Sequence, residues 1–236
     1  MTAFSFEVPH AHLADFEDLQ DFHFILSMHL TNEKYLSYYQ EQSLKGAKQV
    51  WLDNSFNEMG KADEVYSLVN SLRKVDAHKL IVPDDPTWTK EELLARYRIA
   101  REYLEPSQLI VVVSSSEMRA YMLEKGVKKL AVSYHVRLPH YRAGGLYHDF
   151  AWAKNCHFLG MTTVAELKQL KPVSCDTSMP VKIALLGQTL QQWIERGCTH
   201  IHTRDNLNFF DLILNDKQLE LARNNIIALK EMVNGS

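Results

Sequence analysis

The chain has 236 residues, 46% hydrophobic and 23% charged, with a formal net charge of −3. That is the balance of a soluble globular protein with one substantial core; no apolar run approaches the roughly 20 residues of a membrane span, and the charge does not mark a general polyanion binder. Three widely spaced cysteines, Cys156, Cys175 and Cys198, form no Cys-x-x-Cys pair, which argues for reduced thiols and against a disulfide framework or a cysteine-rich zinc site.

Residues 1–21 carry five acids and no Lys or Arg, unlike a secretory or organellar signal, and read as the N-terminal extension of a cytoplasmic protein. Beyond them, β-like runs alternate with amphipathic segments. Phe22–Leu30 reads as the first strand, followed by a helix over Glu33–Leu44 that stops near Gly46. Val50–Asp53 is the second strand. In the helix Lys61–Lys74, Val65, Leu68, Val69 and Leu72 recur at helical spacing, and Lys79–Asp85 holds the third strand and its end. A helix over Lys90–Leu104 precedes the strongly β-branched fourth strand, Leu109–Val113. Glu117–Lys125 is helical, and Lys129–Tyr134 and His157–Met161 are the fifth and sixth strands. A short helix over Thr163–Leu170 leads to a seventh strand, Pro172–Thr177. A helix over Val181–Arg196, a weak eighth strand at Thr199–Thr203 and a last helix over Asp216–Val233 complete the chain.

This alternation implies a parallel sheet, and eight units in a chain of this length suit a closed (β/α)8 TIM barrel in a single domain, 1–236. Residues 134–148 form a barrel-mouth loop and 205–236 a C-terminal helical segment. An open doubly wound sheet is the alternative, but no Gly-x-Gly-x-x-Gly or phosphate-loop pattern follows an early strand.

Chemistry collects at three strand ends: Asp53 after the second, Asp84 and Asp85 after the third, and Asp176 at the end of the seventh. In a parallel barrel such ends share one mouth. Two carboxylates facing a glycosidic carbon can divide the labour, one as nucleophile and one as acid/base. The competing reading is that Asp53-Asn54-Ser55 and Asp176-Thr177-Ser178 are turns capping the helices that follow.

In order along the chain, Leu52-Asp53-Asn54-Ser55 with Glu58 and Gly60, Val82-Pro83-Asp84, His157-Phe158-Leu159-Gly160-Met161 and Asp176-Thr177-Ser178-Met179-Pro180 resemble the tRNA-guanine (queuine) transglycosylase superfamily, most nearly its short, phage-type, DNA-acting members. The resemblance spans about Val50 to Pro180. It implies the same barrel, no cofactor, and base exchange in a nucleic acid. Asp176 would attack the sugar C1′, Asp53 would be the acid/base, and Asp84 would read the base edge, with Asp85 a competitor for that place. Glu58, Asn54, Phe56 and Ser114 would line the base pocket.

Three departures qualify it. Asn57 stands where the family often has a stacking aromatic, so either Phe56 stacks instead or the pocket takes a base other than guanine. Ser114-Ser115-Ser116 replaces a Gln-Gly pattern. The zinc subdomain of tRNA-acting members is absent, leaving only Cys198, His200 and His202, three potential ligands that read better as packing residues than as a metal site. DNA is therefore favoured over tRNA, with a free 7-deazaguanine-type base as second substrate.

Residues 134–148 contain two Arg, three His, three Tyr and no acid. Arg137, Arg142, His135, His140 and Tyr141 are of the types that pair phosphates and stack unpaired bases. The target base must be flipped or already single-stranded to reach a barrel mouth. Two alternatives stay open: a DNA glycosylase in which water completes the reaction, leaving an abasic site in attack on or defence against phage, and a non-catalytic binding protein on the same barrel.

Overall fold

The computed structural model describes residues 1–133, 154–161, 163–197 and 209–235. Its eight strands are β1 (Ala3–Phe6), β2 (His23–Leu26), β3 (Val50–Asp53), β4 (Lys79–Ile81), β5 (Leu109–Val112), β6 (Leu130–Ser133), β7 (His157–Leu159) and β8 (Ser174–Thr177). Every ladder pairing is parallel, in the order β1-β8-β7-β6-β5-β4-β3-β2. This is a nearly closed eight-stranded barrel in one domain, as the alternation of runs implied. Six of the eight strands are buried along their whole length, and β1 and β4 in all but their first residue, which is why most of them read as apolar runs rather than alternating ones.

The seam of the barrel corrects the reading of residues 1–21. They are not an extension: Ala3–Phe6 is a barrel strand, in register with β8 from Ala3↔Ser174 to Phe6↔Thr177. The other expected eighth strand, Thr199–Thr203, lies outside the described residues. Between β1 and β2 the chain runs through two 3₁₀ segments, His10–His12 and Ala14–Leu19, instead of an α-helix. Side chains stand in for a ladder there. The Phe6 N–H donates to Gln20 Oε1 (2.6 Å) while Gln20 Nε2 donates back to the Phe6 carbonyl (2.8 Å). Asp21 Oδ2 accepts from the Phe4 N–H (2.8 Å), and Ser5 Oγ accepts from the Phe24 N–H (2.9 Å).

The helices form where the sequence supplies apolar spacing and caps. Helix α1 (Glu33–Lys45) starts on Asn32, whose side chain accepts from the Lys34 and Tyr35 N–H groups, and ends on left-handed Gly46. A one-turn helix, α2 (Phe56–Met59), follows β3, and α3 (Val65–Val75) buries Val65, Leu68, Val69, Leu72 and Val75. Thr89 and Glu92 form a capping box at the start of α4 (Lys90–Arg101), and α5 (Ser116–Glu124) and α6 (Val164–Leu170) cap on Ser115 and Thr163. The helix expected over Val181–Arg196 is two, α7 (Met179–Leu185) and α8 (Leu190–Glu195), because Gly187 turns left-handed (φ +69°) and Thr189 begins a new capping box with Gln192. Helix α9 (Asp216–Asn234) packs on α7, and Asn234 bonds both the N–H and the carbonyl of Thr2, so the last helix closes over the first strand. Among the described residues no helix is long and apolar enough to cross a membrane.

Candidate active site

Strand alternation decides which side chains share the barrel interior. Trp51 and His157 meet inside it, ring centroids 5.3 Å apart, with Phe24 5.3 Å from the same imidazole. Asp53 lies two residues beyond Trp51 on β3. Asp176 lies two beyond Ser174 on β8, and His157 touches both Ser174 and Asp176. The period of two thus carries Asp53 and Asp176 to the C-terminal mouth above a core of rings.

Asp176 is buried and firmly held. Its Oδ1 is 3.1 Å from His157 Nε2, and the Gly160 N–H donates to both carboxylate oxygens at 3.3 and 3.2 Å. Its carboxylate is engaged with β7 and the turn after it rather than with the following helix; Thr177 Oγ1 closes a turn onto the Met179 N–H (3.0 Å), and the N-cap residue, Ser178, makes no side-chain capping bond. Asp53 does make a local turn, with Oδ2 accepting from the Ser55 N–H (2.9 Å). Burial, then the charges of Glu58 and Asp84, with a smaller contribution from Asp176, hold its carboxyl well above the usual range, against the Ser55 bond that lowers it.

Asn54 links the two neighbouring strand ends. Its Oδ1 accepts from the Phe56 N–H (2.8 Å) and its Nδ2 donates to Asp84 Oδ1 (2.8 Å). Asp84 is buried, and burial pushes its carboxyl up to about 6 although the Asn54 bond opposes this. The two candidates after β4 separate here. Asp85 is occupied in a turn, accepting from both the N–H and hydroxyl of Thr87, so Asp84 is the acid that faces inward. Ser55 adopts φ 56°, ψ 29°, an uncommon conformation for serine. Its Oγ accepts from the Met28 N–H and lies 3.2 Å from Ser27 Oγ, which ties the β3 end to the β2 end.

Glu58 on α2 lies within electrostatic reach of the same acids. Burial and then Asp176 raise its carboxyl, tempered by Lys182 and its own backbone N–H. Phe56 is half-buried at the start of that helix. The Ser114 hydroxyl is directed at Met118 Sδ, 3.7 Å away on α5. The side chain of Asn57, the loop residues His135, Arg137, His140, Tyr141 and Arg142, and Cys198, His200 and His202 lie outside what is described. Among the described residues no group of three or more His, Cys, Asp or Glu is arranged to hold a metal ion.

Three residues of the site were missed in the sequence. Glu7 follows β1, its N–H donating to the Thr177 carbonyl (3.1 Å) and its side chain bonded to Ser178. Burial, then the charges of Asp176 and Glu58, push its carboxyl up. Lys182, on α7, is drawn down by burial and held up by Glu7 and Glu58. His157 opens β7. Glu7 was hidden because a four-residue strand beside acidic turns looked like a tail. Lys182 and His157 lie within an expected helix and an expected strand, but nothing in periodicity separates a lysine or histidine lining a barrel from one on its surface. Five carboxyl groups therefore share electrostatic reach around the mouth, with Lys182 as the cation among them in the described residues.

No family model and no curated protein matches this chain. Among solved structures it is similar to a putative dihydrodipicolinate synthetase from Pseudomonas aeruginosa (10% identity, TM-score 0.53, covering 97% of this chain and 98% of that one). It is also similar to phosphoribosyl anthranilate isomerase from Thermotoga maritima (10% identity, TM-score 0.50, covering 77% and 90%). At such identity the likeness carries the fold: an α/β barrel with all eight strands parallel.

Proposed function

We propose that this protein is an enzyme that exchanges a base in a nucleic acid, DNA in preference to tRNA, through an aspartyl-sugar intermediate. The observation that carries the reading is the pairing of unlike acids at one mouth. Asp176 is held by donors from His157 and Gly160, while Asp53, within electrostatic reach of it, is buried and biased toward its protonated form. Carboxyls whose environments differ in this way suit one nucleophile and one proton donor.

In this mechanism an Asp176 oxygen bonds to C1′ as the glycosidic bond breaks, and its electron pair leaves on the base nitrogen. Asp53 supplies the proton that neutralises the departing base. The resulting carboxylate then takes a proton from an incoming 7-deazaguanine-type base, whose nitrogen attacks C1′ and releases Asp176. Asp84, fixed by Asn54, reads the base edge, and Glu58 and Phe56 close the pocket. Negative carboxylates around the sugar also favour the positive charge that develops at C1′.

The test is incubation with single-stranded and duplex DNA, with and without free 7-deazaguanine, followed by mass spectrometry of released bases and of the polymer. Base release with incorporation of the added base is expected, and Asp176→Asn should abolish both while leaving the melting temperature nearly unchanged. Abasic sites instead of incorporation would make the enzyme a hydrolytic glycosylase. Undiminished release by Asp176→Asn would remove the nucleophile from the scheme.

A further inference from the structure

We propose that His157 is the positioning residue for the Asp176 carboxylate and that Ser174 fixes its tautomer, so that a Ser174–His157–Asp176 relay inside the barrel aims the nucleophile. The proposal rests on the reading of Asp176 as that nucleophile. The relay is built by register. His157 on β7 is paired with Ser174 on β8, and alternation places Asp176 one step up the same inward face. His157 Nδ1 lies 2.9 Å from Ser174 Oγ and Nε2 lies 3.1 Å from Asp176 Oδ1. A one-residue slip between the two strands would turn Ser174 and Asp176 out of the barrel together.

The chemistry of the three groups orders the hydrogens. An ionised carboxylate only accepts, so the hydrogen between Nε2 and Oδ1 comes from the ring. A neutral imidazole protonated at Nε2 keeps its lone pair at Nδ1, and the Ser174 hydroxyl is the group placed to donate to it. Rotation of the ring is blocked by its surroundings: Phe22 at 5.8 Å, Phe24 at 5.3 Å and Trp51 at 5.3 Å between centroids, with His157 only 2% exposed.

Packing alone does not call for a histidine here. A phenylalanine would fill the same space among three aromatic rings without two polar nitrogens to satisfy. What the imidazole adds is a fixed donor beneath one carboxylate oxygen. The Gly160 N–H holds the carboxylate from the β7 side, in a turn where Gly160 takes φ +66°. With both contacts made, the plane of the carboxylate is set before substrate arrives. Misplacement of a reacting group by about 1 Å is enough to cost roughly 100-fold in rate.

Two measurements test this. The first needs no substrate: long-range ¹H–¹⁵N spectra of ¹⁵N-labelled protein at neutral pH, with His157→Gln to assign the signal. The expected pattern is a proton on Nε2 and none on Nδ1, disturbed by Ser174→Ala; protonation at Nδ1 alone would overturn the relay. The second is single-turnover base release from a guanine-containing single-stranded DNA oligonucleotide with free 7-deazaguanine. His157→Phe is expected to lower the rate by about 10- to 100-fold with little change in the half-saturating DNA concentration. His157→Gln, whose amide N–H can reach Asp176, should recover part of the loss. If Asp176→Asn is inactive while His157→Phe turns over normally, the relay is wrong and the nucleophile stands. If Asp176→Asn itself turns over normally, the nucleophile assignment fails and the proposed role of the relay fails with it.

Discussion

Asp84→Asn is expected to stabilise the protein at neutral pH while impairing its activity. Burial raises the Asp84 carboxyl from an ordinary 3.8 to about 6. Between those values the folded chain binds more protons than the unfolded one, so stability falls as pH rises from about 4 to about 6, and the whole cost persists above that. A gap of about 2 pH units, at about 1.4 kcal/mol per unit, sets the cost at about 3 kcal/mol. Asparagine removes the charge yet keeps an oxygen to accept the Asn54 Nδ2 hydrogen, a bond of 2.8 Å in the native site. Small rearrangement leaves a gain of about 1–3 kcal/mol, or roughly 2–10 °C in melting temperature for a chain of this size. Thermal unfolding of both proteins at pH 4 and pH 7.5 reads this directly: the melting temperatures should nearly coincide at the lower pH and separate at the higher. Equal separation at both values, or a less stable variant at pH 7.5, would show that Asp84 bears no burial cost. Base release should fall in the same variant if Asp84 reads the base edge as proposed, because that group has changed from an acid to an amide.

The C-cap of α3, Asp76, is exposed and sits at φ 56°, ψ 43°, where glycine has no Cβ to strain. Asp76→Gly should raise stability by about 0.5–1 kcal/mol at unchanged activity, measured by denaturant unfolding, because the bond from Ser43 Oγ goes to the Asp76 carbonyl and survives. For the loop of residues 134–148, replacing Arg137 and Arg142 by Ala should weaken DNA affinity across sequences. The slope of log affinity against log salt should then flatten by about 1.4–1.8, and an unchanged slope would move the polynucleotide face elsewhere.

The strand-end aspartates were legible because each follows an apolar run that stops abruptly, and the pattern survives translation into structure: Asp53, Asp84 and Asp176 are all buried at the same mouth. The capping alternative was half right for Asp53, which closes a turn onto Ser55; after β8 a turn does form, but through Thr177 Oγ1 and the Met179 N–H, and Ser178 at the N-cap makes no side-chain bond. What spacing could not reveal was the ring of support. Glu7 was lost because the seam between β1 and β2 is closed by Gln20, Asp21 and Ser5 side chains rather than by a helix-connected ladder, so the first unit lacks the α-helix that would have announced it. Ser114 entered through the family resemblance, at the stretch that replaces a Gln-Gly pattern, and its hydroxyl lies against Met118 on the next helix. A polar residue at a strand end earns a role only when its side chain points along the barrel axis, and a single residue's position in the chain does not report that direction.

Several features of this mouth work against stability. Ser55 holds a left-handed conformation between Asp53 and α2. Asp53, Asp84, Glu58 and Glu7 are all raised chiefly by burial, so each makes the folded state less favourable at neutral pH than a neutral residue would. A barrel built only for stability would fill these positions with apolar side chains. Acids crowded together, with Lys182 as the cation among them in the described residues, ionise more readily when a positive charge arrives between them, and in the proposed reaction a sugar losing its base at C1′ is such a charge for the lifetime of the transition state. The same crowding keeps a proton available on Asp53, while the His157 ring and the Gly160 N–H hold the Asp176 carboxylate in place. Strain in the resting protein and the division of labour proposed for catalysis therefore have one physical source, the burial of more acids than Lys182 can balance.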